Sequence, residues 1–359
     1  MNEIIKMTNI VKTFGEVQAI KNGNFNLFEG EIHSLIGENG AGKSTMMKLL
    51  YGMYPIDSGE IEIYGKKMSD YSTGEAIALG IGMVHQEFML VDEMTVLENI
   101  ILGFEPRESL DRIDFNKARK KISEYVETYK LDIQINKKIQ DISVGEAQRV
   151  EIIKTLYRGA DILILDEPTA VLTPQETEKL FEILENLRKD GKSIIFISHK
   201  LNEVMKISNR ITVMRDSRYI GTVLKEETSP VGLAKMMVGR EVLLDVKKKK
   251  IKSEEVILEV RKIFVPSERE LSKIRGISFE LRRGEILGIA GVDGNGQKEL
   301  VEAITGLREV EKGEIIFKKE EITNRSPGAI RDKGISHIPD DRNVRGLNRE
   351  LDISENFVS

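Results

Sequence analysis

The sequence contains no cysteine. This absence excludes disulfides, a thiolate nucleophile and any zinc site built on thiolates. A chain without disulfides is compatible with a reducing compartment.

Long apolar runs and a large net charge are missing as well. The longest apolar runs, such as 162–165 and 194–197, are far shorter than the roughly 20 residues that a membrane-spanning helix needs. No charged-then-apolar leader opens the chain. The formal net charge of −5 over 359 residues gives no general attraction to nucleic acid or acidic lipid. We therefore expect a soluble protein of two to three domains, without a nucleic-acid partner.

The chain does contain a phosphate-binding motif. The pattern G-x-x-x-x-G-K-[ST] is matched by Gly37, Glu38, Asn39, Gly40, Ala41, Gly42, Lys43, Ser44 and Thr45. Residues 31–36 suit a strand and residues 46–50 a helix, and this is the context that the motif requires. In such a loop, backbone N–H groups and the helix N-terminus face one anion. The motif predicts a triphosphate site where Lys43 reaches the β and γ phosphates and Ser44 holds Mg²⁺.

A pair of carboxylates is the second strong signal. Residues 162–165 form a continuous apolar run that is typical of a buried parallel strand, and Asp166 and Glu167 follow it directly. The first carboxylate can hold Mg²⁺, and the second can orient or deprotonate a water for attack on the γ-phosphate. Beside a phosphate loop, this pair predicts a nucleotide-hydrolysing site.

Two more polar side chains follow strand-like segments. Gln86 ends the segment 80–86, and His199 follows the segment 193–197. Because ligands bind at the carboxyl ends of parallel strands, Gln86 is a candidate contact for Mg²⁺ or the attacking water, and His199 for the γ-phosphate. From its position alone, Gln86 is more simply explained as an ordinary loop residue. His199 is expected at the same sheet edge as Asp166, which favours a functional role for this histidine.

The ends of two other segments leave alternatives open. Phe14, at the end of the strand-like segment 4–14, can present its ring to an adenine or be a half-buried strand aromatic. Ser143, followed three residues later by Glu146, has the spacing of a capping box. A helix N-terminus at this point can equally well receive a phosphate.

Residues 255–359 are a diverged copy of the first segment. At an offset of 254 (284 − 30), the matching pairs include Gly30 and Gly284, Gly37 and Gly291, Gly42 and Gly296, Gly52 and Gly306, Gly59 and Gly313, Gly80 and Gly334, and Gln86 and Asp340. Lys43 corresponds to Gln297 and Ser44 to Lys298, so we expect the second loop to bind nucleotide weakly or without Mg²⁺-dependent chemistry. The copy ends before any counterpart of Asp166, and we predict that it is incomplete.

These patterns predict the organisation of the chain. We expect a first domain at 1–240 with a helical subdomain at about 87–158, a charged linker at 241–254, and the partial second domain at 255–359. Residues 95–131 have a helical pattern that Pro106 interrupts.

The motifs, in this order and spacing, resemble the ATP-binding-cassette (ABC) ATPases of membrane transporters. The resemblance covers essentially the whole chain. The degraded second loop is similar to that of the fused ATPase subunits of bacterial sugar importers, and residues 85–91 and 144–149 look closest to the nucleoside and basic-membrane-lipoprotein branch. The resemblance implies an α/β P-loop NTPase fold of the ABC type, with a mostly parallel core sheet, an antiparallel β subdomain and a helical subdomain, followed by an incomplete second copy.

The resemblance also implies roles for matching residues. Phe14 would stack on adenine, Lys43 would bind phosphates, Glu167 would polarise water and His199 would sense the γ-phosphate. The Mg²⁺ ligands would be Ser44, Gln86 and Asp166. ATP would be held head to tail between the phosphate loop of one copy and the signature of another, which here comprises Ser143, Gly145 and Glu146.

Partners and location follow from the same resemblance. The chain would work at the cytoplasmic face of the membrane with integral permease subunits and, indirectly, an extracytoplasmic substrate-binding protein. It would pair with a second ABC domain or with a homodimer partner. We expect it to be C-terminally truncated and to hydrolyse ATP poorly alone.

Two positions depart from the family's usual pattern. The signature is usually Leu-Ser-Gly-Gly-Gln, but residues 142–146 read Ile-Ser-Val-Gly-Glu, which adds a carboxylate opposite a phosphate. Thr173 stands where an aspartate is usual, a trait shared with the sugar-importer branch.

The predicted function is ATP-driven import of a nucleoside or simple sugar. The alternative is a soluble twin-cassette protein that acts on the ribosome. Proteins of that kind have a long helical linker and two intact loops, whereas here the linker is short and the second loop lacks its lysine.

Overall fold

The computed structural model describes residues 2–108, 112–240, 255–266, 273–291, 295–339 and 346–358. The chain divides into two compact units, Met1–Asp245 and Val246–Ser359. The predicted linker at 241–254 lies outside the described residues. No helix in the described ranges is long and apolar enough to cross a membrane.

The first unit alternates strands and helices. In chain order its elements are β1 (Glu3–Phe14), β2 (Val17–Phe28), β3 (Ile32–Ile36), α1 (Lys43–Leu50), β4 (Ser58–Ile63), β5 (Lys66–Met68), α2 (Thr73–Ala78), β6 (Ile81–Val84), α3 (Val96–Ile101), α4 (Phe115–Tyr129), α5 (Val144–Tyr157), β7 (Ile162–Asp166), α6 (Pro174–Lys189), β8 (Ser193–Ile197), α7 (Leu201–Ile207), β9 (Arg210–Arg215), β10 (Arg218–Leu224) and α8 (Pro230–Val238).

The strands form one ten-stranded sheet in the order β5-β4-β1-β2-β10-β9-β3-β8-β7-β6. Strands β3, β6, β7, β8 and β9 pair in parallel, whereas β1, β2, β4 and β5 pair antiparallel. The two parts are joined where Arg218 of β10 pairs in parallel with Asn22 of β2. The parallel strands therefore direct their carboxyl ends to one edge, where the phosphate loop leaves β3.

The central strands are apolar throughout because both faces of the sheet are covered. Every residue of β3, β7 and β8 is buried. Successive side chains of a strand point to opposite faces, and accordingly Leu163, Leu165 and Phe196 join one hydrophobic cluster, while Ile164 and Ile195 join the other. Burial on both faces explains the continuous apolar runs in the sequence.

The break predicted at Pro106 within 95–131 is confirmed, and α3 already ends at Ile101. Only α3 and α4 are helical, and Arg107 pairs with Ile113 in an isolated antiparallel bridge between them. Gly103 has φ of 77°, in the left-handed region, which ends α3, and Pro106 lacks the N–H that a continuing helix needs. The side chain of Asp114 then accepts a hydrogen bond from the N–H of Lys117 and starts α4 anew.

Among the described residues, four helices begin with a capping box, in which the side chain of an N-cap Ser or Thr and a Glu three residues later exchange hydrogen bonds with the backbone. The box predicted at Ser143 is confirmed. The others start α2, α3 and α6, and their pairs are Ser72 with Glu75, Thr95 with Glu98, and Thr173 with Glu176. The residue that replaces the family's usual aspartate, Thr173, therefore has a structural role.

The elements of the second unit follow an order similar to that of the first elements of the first unit. Its elements are β11 (Val256–Val265), β12 (Ile274–Arg282), α9 (Gln297–Ile304), β13 (Lys312–Phe317), β14 (Glu320–Glu321), α10 (Pro327–Asp332) and α11 (Ile353–Val358). Gly296 precedes α9 with φ 95° and ψ 7°, and Gly42 precedes α1 with φ 93° and ψ 6°. The two loops therefore enter their helices with the same backbone geometry.

Within the described residues, two segments of the second unit differ from the strands that they match in the first unit. Residues 285–290 and 335–339 correspond to β3 and β6 by the offset of 254, but neither segment is a strand. Ile286 is 96 % exposed and Ile338 is 94 % exposed. These segments lack the parallel neighbours that bury β3 and β6 in the first unit. Asp340, the predicted counterpart of Gln86, lies outside the described residues.

A buried histidine lies at the centre of the first unit. His33 in β3 is fully buried, with Nε2 2.8 Å from the hydroxyl of Thr212 and Nδ1 3.4 Å from Oε1 of Glu31. Burial lowers the pKa of His33, and the carboxylate of Glu31 only partly opposes this. Burial raises the pKa of Glu31, but the contacts with His33 and Arg210 outweigh that effect and hold it below its ordinary value.

We predict that the free energy of unfolding falls as the pH drops below about 6.5, the ordinary pKa of histidine. The unfolded chain takes up the proton there while folded His33 does not, so stability decreases by up to about 1.4 kcal/mol per pH unit. The pKa of Glu31 is lowered, so this carboxyl titrates below that window. Urea unfolding between pH 5.5 and 7.5 measures the slope.

The variant His33→Gln is the control for this prediction. It keeps a polar side chain beside Thr212 but cannot take up the proton. Burial also lowers the pKa of His85, so part of the slope should remain in the variant. A slope unchanged by His33→Gln would contradict the prediction.

Candidate nucleotide-binding site

The phosphate loop connects β3 to α1, and its lysine is buried. Lys43 is 5 % exposed, and its Nζ donates hydrogen bonds to the carbonyl oxygens of Gly37 and Glu38, each at 3.0 Å. Burial lowers the pKa of Lys43, and the charges of Glu167 and Asp166 oppose that effect. The two carboxylates favour the charged form of Lys43, and its hydrogen-bond partners are neutral carbonyl oxygens, so its positive charge can attract an anion such as phosphate.

Glycine is required at two positions of the loop for different reasons. A Cβ on Gly37 would lie 2.3 Å from the carbonyl oxygen of Met214, so only glycine fits against β9. Gly40 has φ of 81° and open space around its Cβ position, which is the conformation that bare backbone N–H groups need to converge on an anion. Packing therefore requires glycine at Gly37, and the backbone at Gly40 has a conformation compatible with anion binding.

Ser44 and Asp166 meet across the sheet edge. The hydroxyl of Ser44 donates to Oδ1 of Asp166 at 3.0 Å, and Asp166 is 3 % exposed at the end of β7. Burial raises the pKa of Asp166, and the hydrogen bond from Ser44 only partly opposes this. A cation beside this carboxylate would favour its ionised form.

The side chains of Ser44 and Asp166 fit a Mg²⁺ ion that is bound together with a nucleotide. Within the described ranges, no group of three or more His, Asp or Glu side chains is arranged to hold a metal alone. Mg²⁺ is usually bound through one or two protein oxygens together with water and substrate phosphates. One hydroxyl and one carboxylate beside a phosphate loop are consistent with that mode.

Glu167 and His199 form the second pair at this edge. Nδ1 of His199 lies 3.1 Å from Oε1 of Glu167, because β7 and β8 are parallel neighbours with Asp166 opposite Ile197. The N–H of Glu167 donates to the carbonyl of Ile197 at 3.1 Å. Glu167 has φ of 48°, in the left-handed region that non-glycine residues seldom adopt. The structure thus brings both predicted residues together.

Gln86 follows β6, which pairs with β7 in parallel, so this residue leaves the sheet at the same edge. It is exposed. Phe14 is 41 % exposed at the end of β1, with its ring 5.2 Å from the ring of Tyr54 and 5.4 Å from Nζ of Lys12. Its ring is accessible to a planar ligand.

The signature residues stand apart from the phosphate loop. The hydroxyl of Ser143 accepts from the N–H of Glu146 at 3.2 Å, and the carboxylate of Glu146 accepts from the N–H of Ser143 at 2.8 Å. Burial raises the pKa of Glu146, but these hydrogen bonds outweigh it and keep the pKa below its ordinary value. In the described part of the chain, no hydrogen bond or ion pair joins these residues to Lys43.

Gly145 is buried, and a Cβ there would lie 2.3 Å from Oε1 of Glu176. This close approach to the capping box of α6 was not predicted from the sequence. A side chain at this position would force the carboxylate of Glu176 to shift.

Sequence reasoning also missed two groups of supporting residues. Glu203 accepts hydrogen bonds from Thr169 at 2.5 Å and Ser198 at 3.4 Å, so it connects the segments that follow β7 and β8. Glu151 and Lys154 hold the backbone of Met89. The signal for the second group was a Glu and a Lys at i,i+3 inside an otherwise buried helix, where charged residues are rare unless paired.

A cavity of about 270 Å³ lies beside the second group. It is lined by Glu151, Lys154 and Met89, and also by Tyr51 and His85.

The fold and this site define a phosphate-loop nucleotide-binding cassette. The family model described as ABC transporter matches residues 20–170 and 274–356. This chain also covers 70 % of the length of relatives to which it is 48 % and 49 % identical. The chain therefore belongs to the ABC transporter family, which confirms the resemblance seen in the motifs.

Three curated relatives are similar over nearly the whole chain. The nucleoside import ATP-binding protein NupA of Lactococcus lactis is 48 % identical over 99 % of this chain and 70 % of its own length. The guanosine import ATP-binding protein NupO of Bacillus subtilis is 49 % identical over 100 % and 70 %. The glucose import ATP-binding protein TsgD13 of Haloferax volcanii is 44 % identical over 98 % and 69 %.

Solved structures confirm the fold class. An ATP-binding cassette of an ABC transporter in its ADP conformation superposes with a TM-score of 0.60 at 26 % identity, covering 67 % of this chain and 100 % of that one. A bacterial ABC transporter cassette in a dimeric structure gives a TM-score of 0.55 at 30 % identity, covering 62 % and 99 %. The incompleteness of the second copy stays a prediction.

We predict that Gly37→Ala destabilises the first unit by about 1–3 kcal/mol, since the methyl group has no space beside the carbonyl of Met214. Gly74→Ala is the control. Gly74 lies in α2 and its Cβ would have only an ordinary contact, at 3.8 Å, so we expect a stabilisation of about 0.4–1 kcal/mol. Urea unfolding followed by circular dichroism measures both changes. Equal effects of the two substitutions would contradict the packing argument.

Proposed function

We propose that the chain is the ATP-binding and ATP-hydrolysing subunit of an importer, and that it uses Mg²⁺-ATP to drive uptake through a membrane permease pair. One observation carries the proposal: buried Lys43 lies in a loop at the sheet edge where the pairs Ser44–Asp166 and Glu167–His199 meet. Similarity to proteins named for import supports the transport role.

Each residue of the site receives a role that its chemistry allows. Lys43 and the loop N–H groups bind the β and γ phosphates. Ser44 and Asp166 hold Mg²⁺, and Gln86, which follows β6, is the third Mg²⁺ ligand. Bound Mg²⁺ would neutralise charge on the phosphates.

The second pair serves the attacking water. Glu167 orients it and accepts its proton. His199 donates to the γ-phosphate while its other nitrogen contacts Glu167. Phe14 stacks on the adenine.

Hydrolysis requires a second copy in this proposal. Ser143, Gly145 and Glu146 lie apart from Lys43 within one chain, so they act on the ATP of a partner cassette, in a head-to-tail pair. A cassette of the family forms a dimer in a solved structure, which supports pairing between first units.

The cargo we propose is a nucleoside. The relatives named for nucleoside and guanosine import are 48 % and 49 % identical, against 44 % for the relative named for glucose import. A simple sugar is the second candidate. The ribosome-acting alternative receives no support, because these relatives are all named for import.

The place of action follows from the proposed partners. Integral permease subunits would hold the chain at the cytoplasmic face of the membrane. An extracytoplasmic substrate-binding protein would deliver cargo to them from the other side.

We predict that Lys43→Ala weakens Mg²⁺-ATP binding roughly 10- to 100-fold, since charge-assisted hydrogen bonds to phosphate contribute about 1.5–3 kcal/mol. Isothermal titration calorimetry of the full chain measures the affinity. The control is Lys117→Ala, which removes an exposed lysine of α4 and should leave binding unchanged. Equal affinity of the parent and Lys43→Ala would refute the assignment of the phosphate site.

We predict that ATP turnover per chain rises with protein concentration, because each site needs the signature of a second copy. Glu167→Gln should lower that turnover by about 10²- to 10⁴-fold, the usual contribution of a general base, while ATP binding persists. Phosphate release across a range of protein concentrations tests both points. Turnover per chain that is high and independent of concentration would contradict the pairing model.

A further inference from the structure

The segment between β6 and α3 is held to α5 at one residue, Met89. The N–H of Met89 donates to Oε1 of Glu151 at 2.8 Å, and the carbonyl oxygen of Met89 accepts from Nζ of Lys154 at 2.6 Å. One residue therefore has both of its backbone polar groups bound by two charged side chains from one helix. We call this arrangement the Met89 clamp.

The clamp is buried and electrically balanced. Glu151 is 5 % exposed and Lys154 is 8 % exposed, and their charged atoms are 3.7 Å apart. Burial lowers the pKa of Lys154, and Glu151 opposes this. A lone buried charge would be costly, whereas a paired charge that also hydrogen-bonds to the backbone is tolerated. Charge-assisted hydrogen bonds are about twice as strong as neutral ones, so the clamp holds this peptide more firmly than neutral side chains would.

A second attachment lies two residues further on. The amide of Asn99 in α3 accepts from the N–H of Val91 at 2.7 Å and donates to the carbonyl oxygen of Val91 at 3.1 Å. Asn99 is 1 % exposed. The end of the segment away from the sheet is thus bound to α5 and α3 together.

Gln86 lies in the short segment 85–88, which connects β6 to Met89 and which we call the tether. Strand β6 ends at Val84 and belongs to the core sheet, while Met89 is bound to α5. Only residues 85–88 lie between, so any shift of α5 relative to the sheet must be taken up there. Helix α5 begins at the capping box of Ser143, so the signature and the far end of the tether are carried by the same helix.

We propose that Glu151 and Lys154 are positioning residues for Gln86, and that they act on it through the Met89 clamp. This inference rests on the proposed function, in which Gln86 serves Mg²⁺-ATP. Neither Glu151 nor Lys154 contacts nucleotide in this arrangement. Their effect reaches the site through the backbone of residues 85–89.

The first test measures the tether without nucleotide. Because the chain has no cysteine, spin labels on Glu87→Cys and Glu182→Cys report the distance from the tether to α6 by pulsed electron paramagnetic resonance. We expect a narrow distribution in the parent, a clearly broader one in Lys154→Met, and a narrow one in Lys154→Arg, which keeps a donor for Met89. The control Lys117→Met should match the parent. An unchanged distribution in Lys154→Met would overturn the proposal.

A second variant guards against loss of folding. Lys154→Met leaves Glu151 buried without its partner, whereas Glu151→Gln with Lys154→Met removes both charges and keeps an acceptor for the N–H of Met89. This double variant lacks only the donor to the carbonyl oxygen. Circular dichroism verifies the fold, and the double variant should broaden the distance distribution as well. A narrow distribution in the folded double variant would also overturn the proposal.

The second test separates positioning from general damage. Affinity for ATP is measured with Mg²⁺ and with EDTA in the parent and in the double variant. We expect the gain in affinity from Mg²⁺ to fall about 10-fold, the lower end of the usual effect of residues that support metal ligands, while affinity in EDTA stays within about twofold of the parent. Equal losses in both conditions, or no loss in either, would overturn the proposal.

Failure of the proposed function gives a different result. In that case the parent would bind no ATP under either condition. The distance measurement would still decide whether the clamp holds the tether.

Discussion

Parallel pairing of β3, β8 and β7 is the constraint on which the site depends. It directs three strand ends to one edge of the sheet, so that Lys43, Asp166 and His199, far apart in the chain, become neighbours. The strands are held there by burial on both faces, which accounts for their continuous apolar sequences. A polar residue can follow each strand only at the edge, where the covering helices end. The functional groups are therefore concentrated at the place where the hydrophobic core stops.

The described part of the second unit shows how an apolar segment behaves when it has no parallel neighbours. Its β11, β12 and α9 form much as their counterparts do, because antiparallel pairing and a glycine before a helix depend on nearby residues. Residues 285–290 have the apolar character of β3 but remain exposed, with Ile286 at 96 %. The difference lies in the neighbours, since no described strand of this unit is available for parallel pairing. An apolar run becomes a buried strand only where other strands and helices cover it.

Charge is used sparingly inside the first unit, and each buried charge has a defined partner. Lys43 is held by loop carbonyls, Asp166 by the hydroxyl of Ser44, and Lys154 by Glu151 and the carbonyl of Met89. Unpaired charges at these positions would be strongly destabilising. The groups of the site are thus held in place before a ligand arrives. Such preorganisation reduces the reorganisation that binding would otherwise require.

The sequence by itself determined the local features. The phosphate loop, the apolar strand before Asp166 and the capping box at Ser143 depend on short spacings, and they identified the family and the fold class correctly. The sequence also indicated a break at Pro106 within 95–131, but it did not indicate that α3 ends as early as Ile101, before Gly103. Tertiary structure alone decided the contact of His199 with Glu167, the close fit of Gly145 against Glu176 and the hold of Lys154 on Met89. These contacts join residues 31 to 65 positions apart, and side-chain type and spacing do not specify which distant groups the packed sheet and helices bring together.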